Sequence, residues 1–323
     1  MLKKALAALA ATLFALSAHD AARADPYPVR TVKFIVPYPP GGGNDILARV
    51  LAEKLSERLS QRFIVENVGG AGGNVGTAMA AKADGDGYTI LMANNSFVMN
   101  TLIYKNISFD VRRDFNPTSI MSTIPMLVVV HPSLPVASIE DLITYSKSVP
   151  GGLDYGTPGA GTPQHMAAEL FAHLTGAKLR HVPYRGTGPA VTDALAGHIK
   201  LMFGTAASVE QHVKAGSLKV LGVTTAQRSP SFPGIRTVQE SGVPGYDVFL
   251  WYGVLVPKKT PDAINDKLGR EIDAIMALPD IQEKLRSQGY EPVSLDRSAF
   301  QKIIEDDLTK WSAMVKSIGL GAE

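Results

Sequence analysis

Val32-Lys33-Phe34-Ile35-Val36-Pro37-Tyr38-Pro39-Pro40-Gly41-Gly42-Gly43-Asn44-Asp45 runs a buried strand into a glycine-rich turn and the turn into a helix. The apolar run 32–36 reads as the strand, and from Asp45 to Leu59 the residues Leu47, Val50, Leu51, Leu55 and Leu59 share one helical face. The same succession recurs at Asn67-Val68-Gly69-Gly70-Ala71-Gly72-Gly73-Asn74 and at Gly156-Thr157-Pro158-Gly159-Ala160-Gly161-Thr162. A helix opening on such a turn leaves its first N–H groups without intrahelical partners and adds the positive end of its dipole. Together these make a ready cradle for an anion, and glycine lets a ligand reach the main chain with no Cβ in the way. One such turn can equally do no more than end a strand. Three in one chain favour binding of a small anion.

The rest of the chain keeps this rhythm. Strands are expected at 63–65, 88–92, 126–131, 153–155, 179–182, 199–203 and 218–224, and helices at 74–82, 138–147 (capped by Ser138), 162–174, 189–196 and 207–215. Residues 227–245, rich in Pro, Ser and Gly, read as a loop region; 246–256 reads as a long apolar strand. From Pro261 onward the pattern is mostly helical, with Leu268, Ile272, Ile275 and Met276 on one face. Alternating strands and helices predict a parallel α/β sheet.

Residues 1–24 read as a secretory leader. Lys3 and Lys4 precede the small, apolar stretch Ala5–Ala18, and Ala22-Arg23-Ala24 offers a cleavage site before Asp25. The stretch is too short to span a bilayer as a mature helix. The expectation is export to the periplasm and cleavage after Ala24. Residues 25–323 then suffice for two ordinary domains. Cysteine is absent, which removes disulfides, thiolate metal sites, cysteine nucleophiles and the acylated cysteine of a lipoprotein. The leader takes Lys3, Lys4 and Arg23 from 32 basic residues and Asp20 from 30 acidic ones, so the remainder is balanced in charge. That is no footprint for nucleic acid. An anion would have to be held by local dipoles.

Taken in order, several segments resemble one family. They are Tyr27-Pro28-x-Arg30, the run from Phe34 through Pro40-Gly41-Gly42-Gly43-Asn44-Asp45 to Arg49, Glu66-Asn67, Gly70 to Asn74, and Asp86-Gly87-Tyr88-Thr89. Gly159 to His165, His181-Val182-Pro183-Tyr184-Arg185-Gly186, Trp251-Tyr252-Gly253 and Trp311 complete the set. The chain is similar to the Bug (TctC-like) receptors, the extracytoplasmic solute-binding proteins of tripartite tricarboxylate transporters. Val68 stands where that family often has Arg-Pro. The resemblance implies a type II-like periplasmic-binding-protein fold, with two α/β lobes around a ligand cleft. It places lobe 1 at 25–123 plus 249–323 and lobe 2 at 124–248, with crossings near 122–125 and 246–252. The ligand would be captured by hinge closure.

The resemblance also implies a carboxylate held by backbone N–H groups, hydroxyls and water in place of an arginine clamp. It points to Tyr38, Gly41, Gly42, Asn44 and Asp45 in the first loop. In the second lobe it points to Gly159, Ala160, Gly161, Thr162, Thr205 and Ala207. Asn94, Asn95 and Ser96, past the third strand, lie at a carboxyl end of the sheet, where open α/β sheets bind ligands; a plain loop reads equally well there. Asp45 beside an anion cradle should repel a dicarboxylate, so it is expected to cap its helix, with holding a water or meeting a ligand amino group as the alternatives. Arg185 either faces the cleft or braces its loop. Phe97 and Trp251 read as core aromatics, with the floor of an apolar site for an aromatic ligand as the alternative.

No catalytic motif is complete. Gly70-x-Gly72 meets Val75 where a dinucleotide fingerprint needs glycine, and no P-loop, H-E-x-x-H or G-x-S-x-G occurs. His165, Glu169 and His173 fall on one helical face at a spacing zinc accepts, which defines the rival reading, an exported metal-dependent enzyme. A receptor of the same fold that feeds a sensor kinase is a third. The leading expectation is a non-enzymatic, cofactor-free, monomeric periplasmic receptor that hands a small carboxylate to a membrane permease. No motif reports ligand length, so di- and tricarboxylates, aromatic acids, amino acids and nicotinate-like molecules all fit.

Overall fold

The computed structural model describes residues 27–317 and 319; the expected leader and its cleavage site lie outside them. The chain opens with β1 (Val32–Val36), α1 (Gly43–Leu59), β2 (Phe63–Asn67), α2 (Asn74–Ala81) and β3 (Thr89–Asn94). Strand β1 lies between β2 and β3, parallel to both. Its core side chains Val32, Phe34 and Val36 are fully buried, and α1 packs Leu47, Leu51 and Leu55 inward as the periodicity predicts.

After α3 (Ser96–Ile103) comes β4 (Phe115–Val130), a single strand of 16 residues. Then follow α4 (Ile139–Ser148), β5 (Leu153–Thr157), α5 (Pro163–Thr175), β6 (Leu179–Pro183), α6 (Thr187–Leu195), β7 (Leu201–Thr205), α7 (Ala206–Lys214) and β8 (Lys219–Val223). The chain returns as β9 (Phe249–Pro257) and closes with α8 (Asp262–Met276), α9 (Pro279–Ser287), β10 (Glu291–Leu295) and α10 (Arg297–Ser317). Helix starts follow local chemistry: the Ser138 side chain accepts the Asp141 N–H at 3.0 Å to cap α4, and Pro163 after the Thr162 cap opens α5.

The strand order is β2-β1-β3-β9-β4-β7-β5-β6, with β8 and β10 also paired to β4. Here the expected parallel sheet needs correction. Only the two ends are parallel, β2-β1-β3 and β7-β5-β6; β9 is antiparallel to β3 and β4, and β4 is antiparallel to β7, β8 and β10. Strand β4 pairs with β9 from Phe115 to Pro125 and with β7 from Met126 to Val130, so one strand runs from the first α/β half into the second.

The first half of β4 escaped the sequence reading because Asn116-Pro117-Thr118-Ser119 looks polar. These polar residues are nevertheless buried and hydrogen-bonded. Thr118 Oγ1 donates to Asn265 Oδ1 at 2.6 Å, Ser119 Oγ to Leu295 O at 3.1 Å and Asn116 Nδ2 to Lys258 O at 3.0 Å. A buried polar group so satisfied costs little, yet it erases the apolar signature of a strand. Helix α3, where a loop was an open reading, and β10, inside a region read as helical, are the other departures.

Candidate ligand cleft

Helix α1 begins at Gly43 with Gly42 as an N-cap that offers no side chain. The N–H groups of Gly42, Gly43, Asn44 and Asp45 have no hydrogen-bond partner among the described residues. The loop before them is held rigidly by Asp45, only 3 % exposed. Its Oδ2 accepts the Gly41 N–H and Arg49 Nε, both at 2.9 Å, and its Oδ1 accepts Asn67 Nδ2 at 2.9 Å. Asn67 Nδ2 also donates to Tyr38 O at 3.1 Å, and Arg49 donates to Asn67 Oδ1 at 3.1 Å. Burial pushes the Asp45 carboxyl up, but the hydrogen bonds from Arg49, Gly41 and Asn67 outweigh it and hold the carboxyl below its ordinary range. Its carboxylate therefore braces the first loop by gripping the residue before the cap. Asn44 is buried as well, and its Oδ1 is a buried acceptor with no partner among the described residues.

Strands β3 and β9 bring further polar groups to this helix end. Asn94 and Tyr252 stand opposite each other in the β3–β9 register. Asn94 Oδ1 accepts the Tyr38 hydroxyl at 3.1 Å and the Ser96 N–H at 2.9 Å, which ties three expected site residues into one cluster. A Cβ built on Gly43 would fall 2.6 Å from the Tyr252 hydroxyl oxygen and 3.1 Å from that of Tyr290. Both tyrosines thus reach the start of α1, and the sequence reading had proposed neither for the site. Tyr252 carried a signal, since it lies within Trp251-Tyr252-Gly253; Tyr290, behind Gly289 at the end of α9, carried none. Asn95 turns the other way. It donates to Phe249 O at 3.2 Å and accepts the Trp251 N–H at 2.9 Å.

The second glycine turn packs beside this cluster. Asn100 Nδ2 holds Gly72 O at 2.9 Å and Asn74 Oδ1 at 2.8 Å, and a Cβ at Gly73 would lie 3.0 Å from the Tyr38 hydroxyl.

The other half of the molecule faces this row at both ends. A Cβ at Gly161 would lie 2.9 Å from Ile103 Cδ1, so the third glycine turn rests against the end of α3. At the opposite end, a Cβ at Gly289 would meet Ala207 Cα at 2.9 Å, so the start of α7 rests beside Tyr290. Helix α7 has Thr205 as an N-cap that makes no side-chain cap bond; the Thr205 hydroxyl donates to Ser208 Oγ at 2.9 Å. Two helix starts without side-chain caps, α1 and α7, therefore approach the Gly289-Tyr290 segment, one from each half.

The third turn is more committed internally. Gly159 N–H donates to Thr157 Oγ1 at 3.2 Å, Gly161 N–H to His165 Nδ1 at 3.0 Å, and Thr162 Oγ1 caps α5 through the His165 N–H at 3.4 Å. Ala160 and Thr162 keep N–H groups without partners among the described residues. Arg185 is exposed on the strand-to-helix connection nearby, while Tyr184 donates its hydroxyl to Asp193 at 2.6 Å.

The zinc-compatible face does not assemble. His165 is 3 % exposed and stacks on His181 at a centroid distance of 3.9 Å. Its Nδ1 is occupied by Gly161, and His173 is exposed at the far end of α5. Among the described residues no group of three His, Asp or Glu is placed to hold a metal ion. Burial pulls His165 down to about 4; burial and then the neighbouring His165 pull His181 down to about 4. Both rings are neutral at ordinary pH and serve as packing and hydrogen-bonding groups. His181 Nε2 lies 2.6 Å from Thr157 Oγ1.

The family model described as tripartite tricarboxylate transporter family receptor matches residues 47–320. Protein BugT of Bordetella pertussis is 34% identical over 298 residues, which are 92% of this chain and 91% of BugT. The structure of R. palustris Rpa4515 with adipate is similar at a TM-score of 0.81 and 34% identity, over 92% of this chain and 100% of that one. The periplasmic binding protein BugD is similar at a TM-score of 0.77 and 32% identity, over 92% of this chain and 100% of BugD.

Proposed function

This chain belongs to the tripartite tricarboxylate transporter receptor family, and we propose that it captures a small carboxylate in the cleft between its two halves. The observation that carries the reading is the pair of helix starts without side-chain caps, α1 at Gly43 beside Tyr290 and α7 at Ala206 with Ala207 beside Gly289. Unpaired N–H groups and two helix dipoles attract an anion without any lysine or arginine. Adipate in the similar Rpa4515 is a dicarboxylate, which supports the same ligand class here. Several such contacts give roughly micromolar affinity, around −8 kcal/mol, which still permits release.

In this reading Gly42, Asn44, Ala207 and the Tyr38–Asn94–Ser96 cluster line the site, Ala160 and Thr162 offer a second set of N–H donors, and Asp45 and Arg49 stiffen the loop. Lobe 1 comprises 25–123 and 249–323, lobe 2 comprises 124–248, and they close on the ligand as rigid bodies hinged in β4 and β9. Ligand leaves unaltered and passes to a membrane permease, and the receptor acts as a monomer. No helix among the described residues is long and apolar enough to cross a membrane; export of the chain with cleavage after Ala24 completes the proposal.

A thermal-shift screen of the chain against carboxylic acids tests it. A ligand at 100 times its dissociation constant stabilises the folded state by about 2.7 kcal/mol, a rise of a few degrees for a protein of this size. The expected result is a shift with one group of di- or tricarboxylates that disappears on Gly42→Phe. A flat response across succinate, glutarate, adipate, citrate and benzoate would overturn the reading.

A further inference from the structure

Tyr252 and Tyr290 are 7 % and 5 % exposed, and neither hydroxyl has a hydrogen-bond partner among the described residues. Neither oxygen is among the fully buried unpaired side-chain atoms, which are Asn44 Oδ1 and Thr260 Oγ1 among the described residues, so both stay accessible to a ligand. Both converge on the first residue of α1, with their rings 5.9 Å apart and tilted by 66°. Gly43 is not in the left-handed region, so its backbone does not demand glycine. A side chain there would instead fill the space in front of the two hydroxyls, since its Cβ would lie 2.6 Å from the Tyr252 oxygen. The N–H groups of Gly42, Gly43, Asn44 and Asp45 at the same helix start have no partner among the described residues. The start of α1 thus gathers two phenol hydroxyls and unpaired amide N–H groups in one place.

Resting on the receptor reading above, we infer that the Tyr252 and Tyr290 hydroxyls donate to the ligand carboxylate seated at the start of α1, and that Gly43 keeps their approach open. Burial holds both phenols above their ordinary range, Tyr290 at about 12, so they remain protonated donors wherever the protein is folded. A hydroxyl donating to a carboxylate is a charge-assisted bond. Losing one such bond weakens binding about 10- to 100-fold. Without ligand the same hydroxyls bond to nothing in the protein, so removing them leaves the unliganded fold as stable as before.

Calorimetric titration of the full chain with succinate, glutarate, adipate, citrate and benzoate, repeated on Tyr252→Phe and Tyr290→Phe, tests this. The expected outcome is a wild-type protein that binds one or more of these acids and Phe variants that bind them about 10- to 100-fold more weakly, with unliganded melting temperatures unchanged. Gly43→Ala, whose Cβ would crowd both hydroxyls, weakens binding as well. Ligand addition also perturbs the near-ultraviolet tyrosine absorption of the wild type, and the double Phe variant reduces that signal. Wild-type affinity in both Phe variants would overturn this inference and leave the receptor reading intact. A wild-type protein that binds none of the five acids would overturn both.

Discussion

Asp45 shows how a single side chain can change meaning between sequence and structure. Beside an anion cradle it reads as a cap or as a repulsive charge. In the fold it accepts from Gly41, Arg49 and Asn67 and is spent within the protein. Replacing it with alanine leaves those three donors without their acceptor. Asp45→Ala is expected to cost about 1–3 kcal/mol, read as a lower urea midpoint, and to weaken ligand binding through a loosened first loop. His165 and His181 give a pH prediction. Their folded values near 4 lie below the ordinary 6.5, so the unfolded chain binds more protons between the two values. The stability they protect is fully present above about pH 6.5 and is lost as pH falls toward 4. Melting temperature measured across that interval should fall, and His181→Gln should flatten the slope; an identical slope in the variant would discount the pair as its source.

Among the elements, the helix starts differ by what their caps do. Helix α5 spends Thr162 on its own first turn and Gly161 on His165, whereas α1 and α7 have no side-chain cap. Uncapped starts are usually a stability cost of about 1 kcal/mol. In the proposed receptor they leave donors for a ligand. Gly289, with φ of +80°, lets the chain turn tightly against Ala207. Gly289→Ala combines backbone strain with a clash against main-chain atoms of the facing half. The variant is expected to melt a few degrees lower and to bind carboxylate more weakly. Small-angle scattering should show less compaction with ligand than in the wild type; equal compaction would remove this contact from the closing mechanism.

The whole molecule is organised around β4, whose first part pairs with β9 and whose last residues pair with β7 and β8. Near the start of β9, Asp307 is buried and accepts Trp251 Nε1 at 2.9 Å and Trp311 Nε1 at 3.1 Å. Burial raises the Asp307 carboxyl above its ordinary range. Asn95 links this group to the backbone of Phe249 and Trp251. The network fixes α10 and α3 to the strand on which closure would pivot. Asp307→Leu strands two buried indole N–H groups and should cost on the order of 3 kcal/mol, with a shifted tryptophan emission. Asp307→Asn, which retains an acceptor oxygen, should cost less.

Local chemistry made much of this chain legible before any fold was known. The three glycine turns, the helices behind them, the Ser138 cap and the parallel strand–helix units at either end follow from hydrophobic period and turn residues, which act over a few neighbouring positions. The family was legible as well, because its motifs are contiguous. Hidden from the sequence were the polar first half of β4, the antiparallel centre of the sheet, and the gathering of Tyr252 and Tyr290 at Gly43. Each depends on partners far along the chain: Thr118 on Asn265, β4 on β9, Gly43 on Tyr252 and Tyr290. A buried polar group or an idle hydroxyl acquires its meaning only from what folding places beside it, and no local period encodes that.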